Sequence, residues 1–306
     1  MATHFSNRWV DAMAPVAFRG VEPQDKKLYR ILLMLIIWLL SAPVPNAAVA
    51  VRLDQDQQSL TPMQFEIEKQ RQRLGSSEAE DRRDAVMRLG TLRHPDASRA
   101  ALFALNDGLA IVRATASSAV LWLPSEEAAA ALIPLLNDKD EFVRQEAAYA
   151  LGRAQSKIAV APLVERLAKD KKNGVRGAAA VALGQIGDES AVVPLAQVLA
   201  PETALSLTGK TGGNRNKENV FVLKATAASL GQIASRAGLP ALIATLEDEK
   251  TDVEVRREAA RSLGLIADPS AEPALRKVLT ATDAHLALAA HEALLRISNL
   301  QKGLPG

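Results

Sequence analysis

The side chains that most often perform catalysis or bind metals are scarce in this chain of 306 residues. The chain contains no cysteine and four histidines, which excludes disulfides, thiolate nucleophiles and cysteine-ligated zinc or iron–sulfur sites. One histidine is followed directly by a glutamate, at His291-Glu292, and such a pair can contribute ligands to iron or zinc. His94 and His285 stand alone. A metal site that needs several convergent imidazoles and carboxylates is therefore not predicted from these residues.

The segment 201–219 contains a near-match to a phosphate-binding motif. Residues 204–211 read ALSLTGKT, which fits G-x-x-x-x-G-K-[ST] except that alanine replaces the first glycine. A phosphate loop joins a strand to a helix that begins directly after it. Here a helical pattern precedes the motif and Gly-Gly-Asn follows it, so no nucleotide site is predicted. The segment is interpreted either as a flexible loop or as a loop that contacts a partner protein through three basic side chains: Lys210, Arg215 and Lys217.

One ten-residue pattern is repeated along the chain. VRQEAAYALG at 143–152 recurs as VRGAAAVALG at 175–184 and as VRREAARSLG at 255–264. Alignment on the last residue of the pattern gives seven equivalent positions: Gly90, Leu121, Gly152, Gly184, Gly231, Gly264 and Leu295. A constant period of about 30 residues predicts a solenoid of stacked supersecondary units. The single long step, between the fourth and fifth positions, is interpreted as a loop insertion at 201–219.

Each repeat is predicted to contain two helices. Leucine and valine recur at helical spacing in 159–170, and the quoted pattern places one nonpolar stripe on a second helix. Gly152, or a residue beside it, is predicted to end that second helix. The chain is 48% hydrophobic but only 4% aromatic, which favours helices packed through small residues. We therefore predict an all-α fold, a right-handed α-solenoid (superhelix) of stacked helix pairs.

The repeats divide the chain into segments. The solenoid is predicted to occupy 79–300, in about seven units. Residues 51–78 are predicted to form a linker and an N-terminal capping helix, because the first unit of a solenoid would otherwise expose its core. Residues 301–306 form a C-terminal tail.

The first fifty residues have the features of an export signal. Basic residues precede an uninterrupted nonpolar run at Ile31–Leu40, and Ala48-Val49-Ala50 fits a signal-peptidase site. The run is shorter than the roughly 20 residues that span a bilayer. Residues 1–50 are therefore predicted to be a signal peptide with a long N-terminal extension, or else an uncleaved membrane anchor. In both cases the solenoid is expected outside the cytoplasm, in the periplasm or cell envelope, or anchored to the inner membrane.

The repeated pattern resembles the HEAT-repeat superfamily, in particular the short-unit branch known from phycobilisome lyase-type proteins. The motif D-x-x-x-V-R-x-x-A-A-x-A-L-G is carried, for example, by Asp140, Val143-Arg144 and Leu151-Gly152. The resemblance implies that the second helices line a concave groove, with one row of residues three positions before each aligned position. A mixed groove with few aromatic residues suits a protein or peptide partner. The candidate partner-binding residues are Gln145, Glu146, Tyr149, Arg153, Arg257, Glu258 and Arg261.

The resemblance also implies an enzymatic alternative. Deoxyhypusine hydroxylase-like members of the superfamily bind two irons through His-Glu pairs, seven and six positions before the aligned residue. Gln145-Glu146 and Arg257-Glu258 keep the glutamate at that register, but no repeat has the histidine. His291-Glu292 begins four positions before its aligned residue, nearly one helical turn away. No metal or cofactor is therefore predicted. A bilin lyase is disfavoured because that activity is cytoplasmic.

Four arginines share one repeat position: Arg113, Arg144, Arg176 and Arg256. An acidic residue precedes each of them: Asp107, Asp140, Asp170 and Asp252. The arginines form either a basic ladder for an anionic ligand or a bond to the aspartate of their own repeat. We predict the second arrangement, because every arginine has a local partner.

These observations predict an exported, non-catalytic scaffold that binds another protein through its concave groove and inserted loop. The alternatives are an enzyme of the hydroxylase or bilin lyase type and a purely structural component of the envelope. Nucleic acid is not predicted as a partner, since basic and acidic residues balance beyond residue 50. Membrane contact is predicted only through the N-terminal segment, if it is uncleaved.

Overall fold

The computed structural model describes residues 60–199 and 219–303, and in these ranges all regular secondary structure is helical. The helices that follow Pro62 belong to one compact unit, Met63–Gly306. None of the described helices has the length and hydrophobicity that a bilayer crossing requires. The predicted export segment, residues 1–50, lies outside the described residues.

First and second helices alternate along the described chain, as predicted. The first helices are α1 (Pro62–Arg73), α3 (Pro95–Ala101), α5 (Ser125–Leu132), α7 (Val160–Lys169), α9 (Val192–Leu199), α11 (Leu239–Glu247) and α13 (Glu272–Lys277). The second helices are α2 (Ala79–Thr91), α4 (Ala110–Ala119), α6 (Glu141–Ala154), α8 (Asn173–Ile186), α10 (Val220–Ile233), α12 (Val253–Ile266) and α14 (Ala284–Gln301). Short 3₁₀ turns precede or continue most of the first helices after α1.

The second helices stack on one another in chain order. Helix α2 packs on α4, α4 on α6, α6 on α8, α8 on α10, α10 on α12, and α12 on α14. Neighbouring first helices contact each other much less. In a curved stack of helix pairs, the helices on the inner side are expected to pack more closely than those on the outer side. The predicted arrangement of stacked helix pairs is therefore confirmed, whereas the handedness of the superhelix stays a prediction.

One hydrophobic core runs through the stack. In α6, Val143, Ala147 and Leu151 are completely buried, as the nonpolar stripe predicts. Leucines of the first helices face them, such as Leu163 and Leu167 of α7. Full burial of a leucine contributes roughly 1.5–3 kcal/mol. Each pair can reach this burial only because its neighbours cover both sides.

Helix α1 lies at the N-terminal end of the stack. Ile67 and Leu74 are buried in the common core. Two ion pairs join this end to α2: Arg88 donates to Glu66 at 2.9 Å, and Arg73 donates to Asp81 at 3.1 Å. Helix α1 thus covers the core side of α2 at the end of the stack, where the described residues include no earlier repeat.

The aligned glycines lie inside the second helices, so the prediction that they end these helices is wrong. Helix α6 continues past Gly152, and the left-handed residue that follows the helix is Gln155, with φ 54°. The aligned glycines instead permit close helix packing. A Cβ atom at Gly264 would lie 2.8 Å from the Cα atom of Ala293 in α14. Equally close approaches occur at Gly152 on Ala182, Gly184 on Ser229, and Gly231 on Ser262.

Candidate functional site

The second helices present one continuous row of side chains to solvent. The row takes the residue three positions before each aligned position, and every member is exposed or half-buried. We call it the inner row: Met87, Ser118, Tyr149, Val181, Ala228, Arg261 and Glu292. It lies on the second helices, which pack on one another more closely than the first helices do; that the row lines a concave surface stays a prediction.

Several exposed nonpolar side chains beside the inner row were not predicted from the sequence. Ile111, Phe142 and Phe221 stand at the start of α4, α6 and α10, and 42%, 46% and 45% of their surfaces are exposed. Trp122, just after α4, is 43% exposed. The first three lie seven residues before a member of the inner row. That spacing is two helical turns, which keeps them on the same helix face, and it is the signal that could have revealed them.

The ring of Phe221 spans two helices. It lies over Gly177 of α8, where a Cβ atom would overlap the ring. Helix α8 also has a glycine, Gly174, at the position that corresponds to Phe142 and Phe221. The ring therefore supplies nonpolar surface that α8 itself lacks. We call Ile111, Phe142, Tyr149 and Phe221 the nonpolar groove patch.

The predicted partner-binding residues of α6 do lie on one surface. Gln145, Glu146 and Tyr149 are half-buried, and Arg153 is exposed. The Oε1 atom of Gln145 packs over Gly174 and would lie 2.8 Å from a Cβ atom there. Tyr149 belongs to the nonpolar groove patch, and Gln145, Glu146 and Arg153 border it with polar groups.

The predicted residues of α12 are instead paired with other charges. Arg257 donates to Asp283 at 2.9 Å, next to the start of α14. Arg261 donates to Glu258 at 3.1 Å, one turn away in the same helix. This end of the inner row is therefore polar, with its charges largely compensated. The predicted loop residues Lys210, Arg215 and Lys217 lie outside the described residues.

Arginine–aspartate pairs join consecutive repeats, so the predicted pairing within a repeat is wrong. In each pair, Nε and Nη2 of the arginine donate to both carboxylate oxygens of an aspartate in the next repeat. Arg257 and Asp283 form such a pair one position later in the repeat. We call the other three pairs, whose arginines share one repeat position, the ladder: Arg82–Asp107 (2.6 Å), Arg113–Asp138 (2.7 Å) and Arg144–Asp170 (2.8 Å). Nη1 of each arginine donates to backbone carbonyls of its own turn. Each ladder arginine thus donates to backbone carbonyl oxygens of its own repeat and to the carboxylate of the following repeat.

The ladder aspartates are held in the charged form. The hydrogen bond from Arg82 lowers the pKa of Asp107. Burial by itself would raise the pKa of Asp138 and Asp170, but hydrogen bonds from the arginines and from the backbone outweigh it, so both pKa values are lowered. Each carboxylate also accepts a backbone N–H two residues on. The ladder is therefore a structural connection between repeats and leaves these arginines occupied.

Acid should weaken the fold through Asp283. The hydrogen bond from Arg257 lowers the pKa of Asp283 to about 2, against about 3.9 in an unfolded chain. The unfolded chain therefore binds the proton first, so this stabilisation is present above about pH 4 and is lost as the pH falls to about 2. We expect the melting temperature to fall over this range, and to fall less steeply in Arg257→Gln. Arg261→Gln is the control and should keep the wild-type slope. Parallel pH profiles for wild type and Arg257→Gln would contradict the assignment.

The histidines do not form a metal-binding cluster in the part of the chain that the structure describes. No three side chains of His, Asp or Glu converge there in a way that could hold a metal ion. His291 and Glu292 are both exposed on α14. His94 has a structural role: its Nδ1 accepts the backbone N–H of Asp96 at 3.2 Å and so caps α3.

A family model described as HEAT repeats matches residues 67–152, 131–205 and 239–305. The chain belongs to the HEAT-repeat family. These matches cover the stacked pairs on both sides of the insertion, so the resemblance found in the repeated pattern is confirmed. The HEAT repeats account for the alternation of first and second helices and for the recurring position of the inner row.

Several solved structures are similar to this HEAT-repeat chain. One is human deoxyhypusine hydroxylase in complex with glycerol, with 20% identity, a TM-score of 0.39, and coverage of 91% of this chain and 100% of that chain. Another is the complex of CpcE and CpcF of phycocyanin lyase from Nostoc, with 24% identity, a TM-score of 0.44, and coverage of 80% and 95%. A third is an engineered protein, with 24% identity, a TM-score of 0.42, and coverage of 76% and 68%. No curated protein matches the chain.

Proposed function

We propose that this HEAT-repeat protein is a non-catalytic scaffold that binds another protein through the groove lined by its second helices. The observation that carries the proposal is the nonpolar groove patch, in which Ile111, Phe142 and Phe221 remain 42%, 46% and 45% exposed on the second helices. Grouped exposed nonpolar side chains with a polar border are typical of protein interaction sites. Gln145, Glu146 and Arg153 supply that border.

The patch fits a partner segment that presents nonpolar side chains. Aromatic residues contribute a large share of the binding energy in protein interfaces, and Phe142, Tyr149 and Phe221 provide three of them along α6, α8 and α10. The charged residues of α12 are already paired, so they fit a rim role better than a central one. The inserted loop, with Lys210, Arg215 and Lys217, is proposed as an additional contact.

Site-specific photocrosslinking tests the groove. A photoreactive residue replaces Tyr149 in one variant and Phe103 in a control variant, since Phe103 is 74% exposed beside the first helix α3. We expect a defined adduct from position 149, absent from position 103, that disappears when Phe142→Ser and Phe221→Ser are added. Circular dichroism checks that the added changes leave the fold intact. Adducts that form equally at both positions, or that survive the double change, would refute the groove as the binding surface.

The same purified protein tests the enzymatic alternative. A hydroxylase of the di-iron type requires stoichiometric iron, and a bilin lyase requires a coloured ligand. We expect no stoichiometric iron by elemental analysis and no visible absorption band. Either signal in protein isolated from its native host would replace the scaffold proposal with an enzyme.

We also propose that the scaffold acts outside the cytoplasm, in the periplasm or anchored to the inner membrane. The basic and nonpolar character of residues 1–50 supports this placement. N-terminal sequencing of the mature protein is the test, and a mature start close to Val51 is expected if the signal is cleaved. An intact N-terminus in protein recovered from the cytoplasm would overturn it.

A further inference from the structure

The last repeat has no carboxylate at the ladder position, and its Asp283, two residues further on, pairs with Arg257. In the ladder, Asp107 and Asp138 each end a 3₁₀ turn, with backbone angles of −59°, 149° and −58°, 145°. Ala281 ends the corresponding turn before α14 with −60°, 146°. Its N–H bonds to the carbonyl three residues back, as in the two aspartates. Ala281 therefore occupies the position of a ladder aspartate but has no acid group.

The arginine that should meet this missing carboxylate is present. Arg256 is the fourth residue of α12, just as Arg113 and Arg144 are the fourth residues of α4 and α6. Its Nε donates to the carbonyl of Leu246 at 2.9 Å. Within the described residues, no carboxylate lies within ion-pair distance of Arg256, in contrast to all three ladder arginines.

An open cleft of about 950 Å³ lies at this place, between the turns of the last two repeats. Arg256 and Ala281 both line it. Three of its other charged residues are already neutralised, because Lys277 donates to Glu247 and Asp283 accepts from Arg257. Glu249 is the remaining acid in the lining, and it is exposed. The cleft thus combines a guanidinium that lacks a counter-ion with the space where a carboxylate stands in other repeats.

We propose that Arg256 binds a carboxylate of a partner protein in this cleft, as an acidic side chain or a chain terminus. The repeats themselves define the ligand chemistry, since among the described residues the same arginine position holds a carboxylate through two parallel hydrogen bonds three times. Such two-point pairing is the geometry that guanidinium groups favour. Glu249 disfavours ligands of high negative charge, so phosphate groups and nucleic acid fit less well than a single carboxylate.

The site lies at the turns between first and second helices and not on the inner row. It is therefore separate from the nonpolar groove patch, and its test is independent of the groove. The carboxylate can come from a partner that also occupies the groove or from one that binds only at the turns.

The test uses three short peptides with the full chain. One peptide has a central glutamate and blocked ends, one has glutamine instead, and one has no acidic side chain but a free C-terminus. Binding is followed by NMR through the Nε–H signal of Arg256. We expect saturable shifts with a carboxylate peptide and none with the blocked glutamine peptide. The glutamate and free-terminus peptides separate the two sources of the carboxylate.

Two variants decide the assignment. Ala281→Asp supplies the missing ladder carboxylate, so we expect a melting temperature about 2–4 °C higher and peptide binding at least about tenfold weaker. Arg256→Gln should also weaken binding at least about tenfold while the chain stays folded. Arg144→Gln is the matched control, because its arginine already has Asp170, and it should leave peptide binding unchanged. Undiminished binding in both Ala281→Asp and Arg256→Gln, or no shift with either carboxylate peptide, would overturn the proposal.

Discussion

Replacing Asp170 with alanine is expected to lower the free energy of unfolding by about 3 kcal/mol. The Asp170 side chain is 3% exposed, and the side chain of its partner Arg144 is 14% exposed. The carboxylate accepts Nε and Nη2 of Arg144 and the backbone N–H of Lys172. The substitution would therefore leave a largely buried guanidinium without its counter-ion and a turn N–H without its acceptor. Urea unfolding monitored by circular dichroism measures the loss.

Asp248→Ala is the matched control for this prediction. Asp248 also follows a first helix, and it accepts the backbone N–H of Lys250 and the hydroxyl of Thr251, both at 3.0 Å. It has no arginine partner among the described residues. We expect a loss of only about 1 kcal/mol, the value of ordinary hydrogen bonds. Equal losses for Asp170→Ala and Asp248→Ala would show that the ladder adds nothing beyond its turn contacts.

Gly264→Ala should destabilise the protein by about 2 kcal/mol, although the same change inside an ordinary helix stabilises it by about 1 kcal/mol. The added Cβ would lie 2.8 Å from Cα and 2.9 Å from Cβ of Ala293. The Cα and Cβ atoms of Ala293 are fixed by the backbone of α14, so no side-chain rotation can relieve the contact. The helices α12 and α14 must therefore separate, and the core between them loosens. Thermal and urea unfolding give the sign directly.

The reverse substitution, at the residue that follows the same helix, is the control. Ala267 follows α12 with φ 53° and ψ 36°, a left-handed conformation that costs a non-glycine residue roughly 1–2 kcal/mol. Gly187 occupies the equivalent position after α8, with φ 71°. We expect Ala267→Gly to stabilise the protein by about 1 kcal/mol, because glycine adopts this conformation without strain. A stabilised Gly264→Ala together with a destabilised Ala267→Gly would contradict the packing role of Gly264.

Much of the candidate surface could be predicted because it follows from helix periodicity. Tyr149 and Arg261 lie on the inner row since they keep one register from repeat to repeat. The counter-ion of Arg257 could not be predicted in the same way. Its partner Asp283 is 26 residues away, and the repeat alignment places the neighbouring Arg256, not Arg257, at the shared arginine position.

The nonpolar groove patch shows a second kind of limit. Phe142 and Phe221 carry the hydrophobic character of core residues, and composition gives no reason to expect them at the surface. Their exposure depends on where the first turn of each second helix meets its neighbours. The ring of Phe221 is accommodated over α8 because Gly177 lacks a side chain.

The sequence by itself determined the class of fold, the alternation of helices, and the buried stripe of Val143, Ala147 and Leu151, because these depend on contacts repeated at a constant spacing. Only the tertiary structure decided that the aligned glycines lie within the second helices and allow neighbouring helices to pack closely. It also decided that each ladder arginine bonds to an aspartate of the following repeat. Both features depend on distances between helices about 30 residues apart, which rise per residue and periodicity do not specify. For the same reason, the unmatched Arg256 became visible only when the three-dimensional positions of Asp107, Asp138 and Ala281 could be compared.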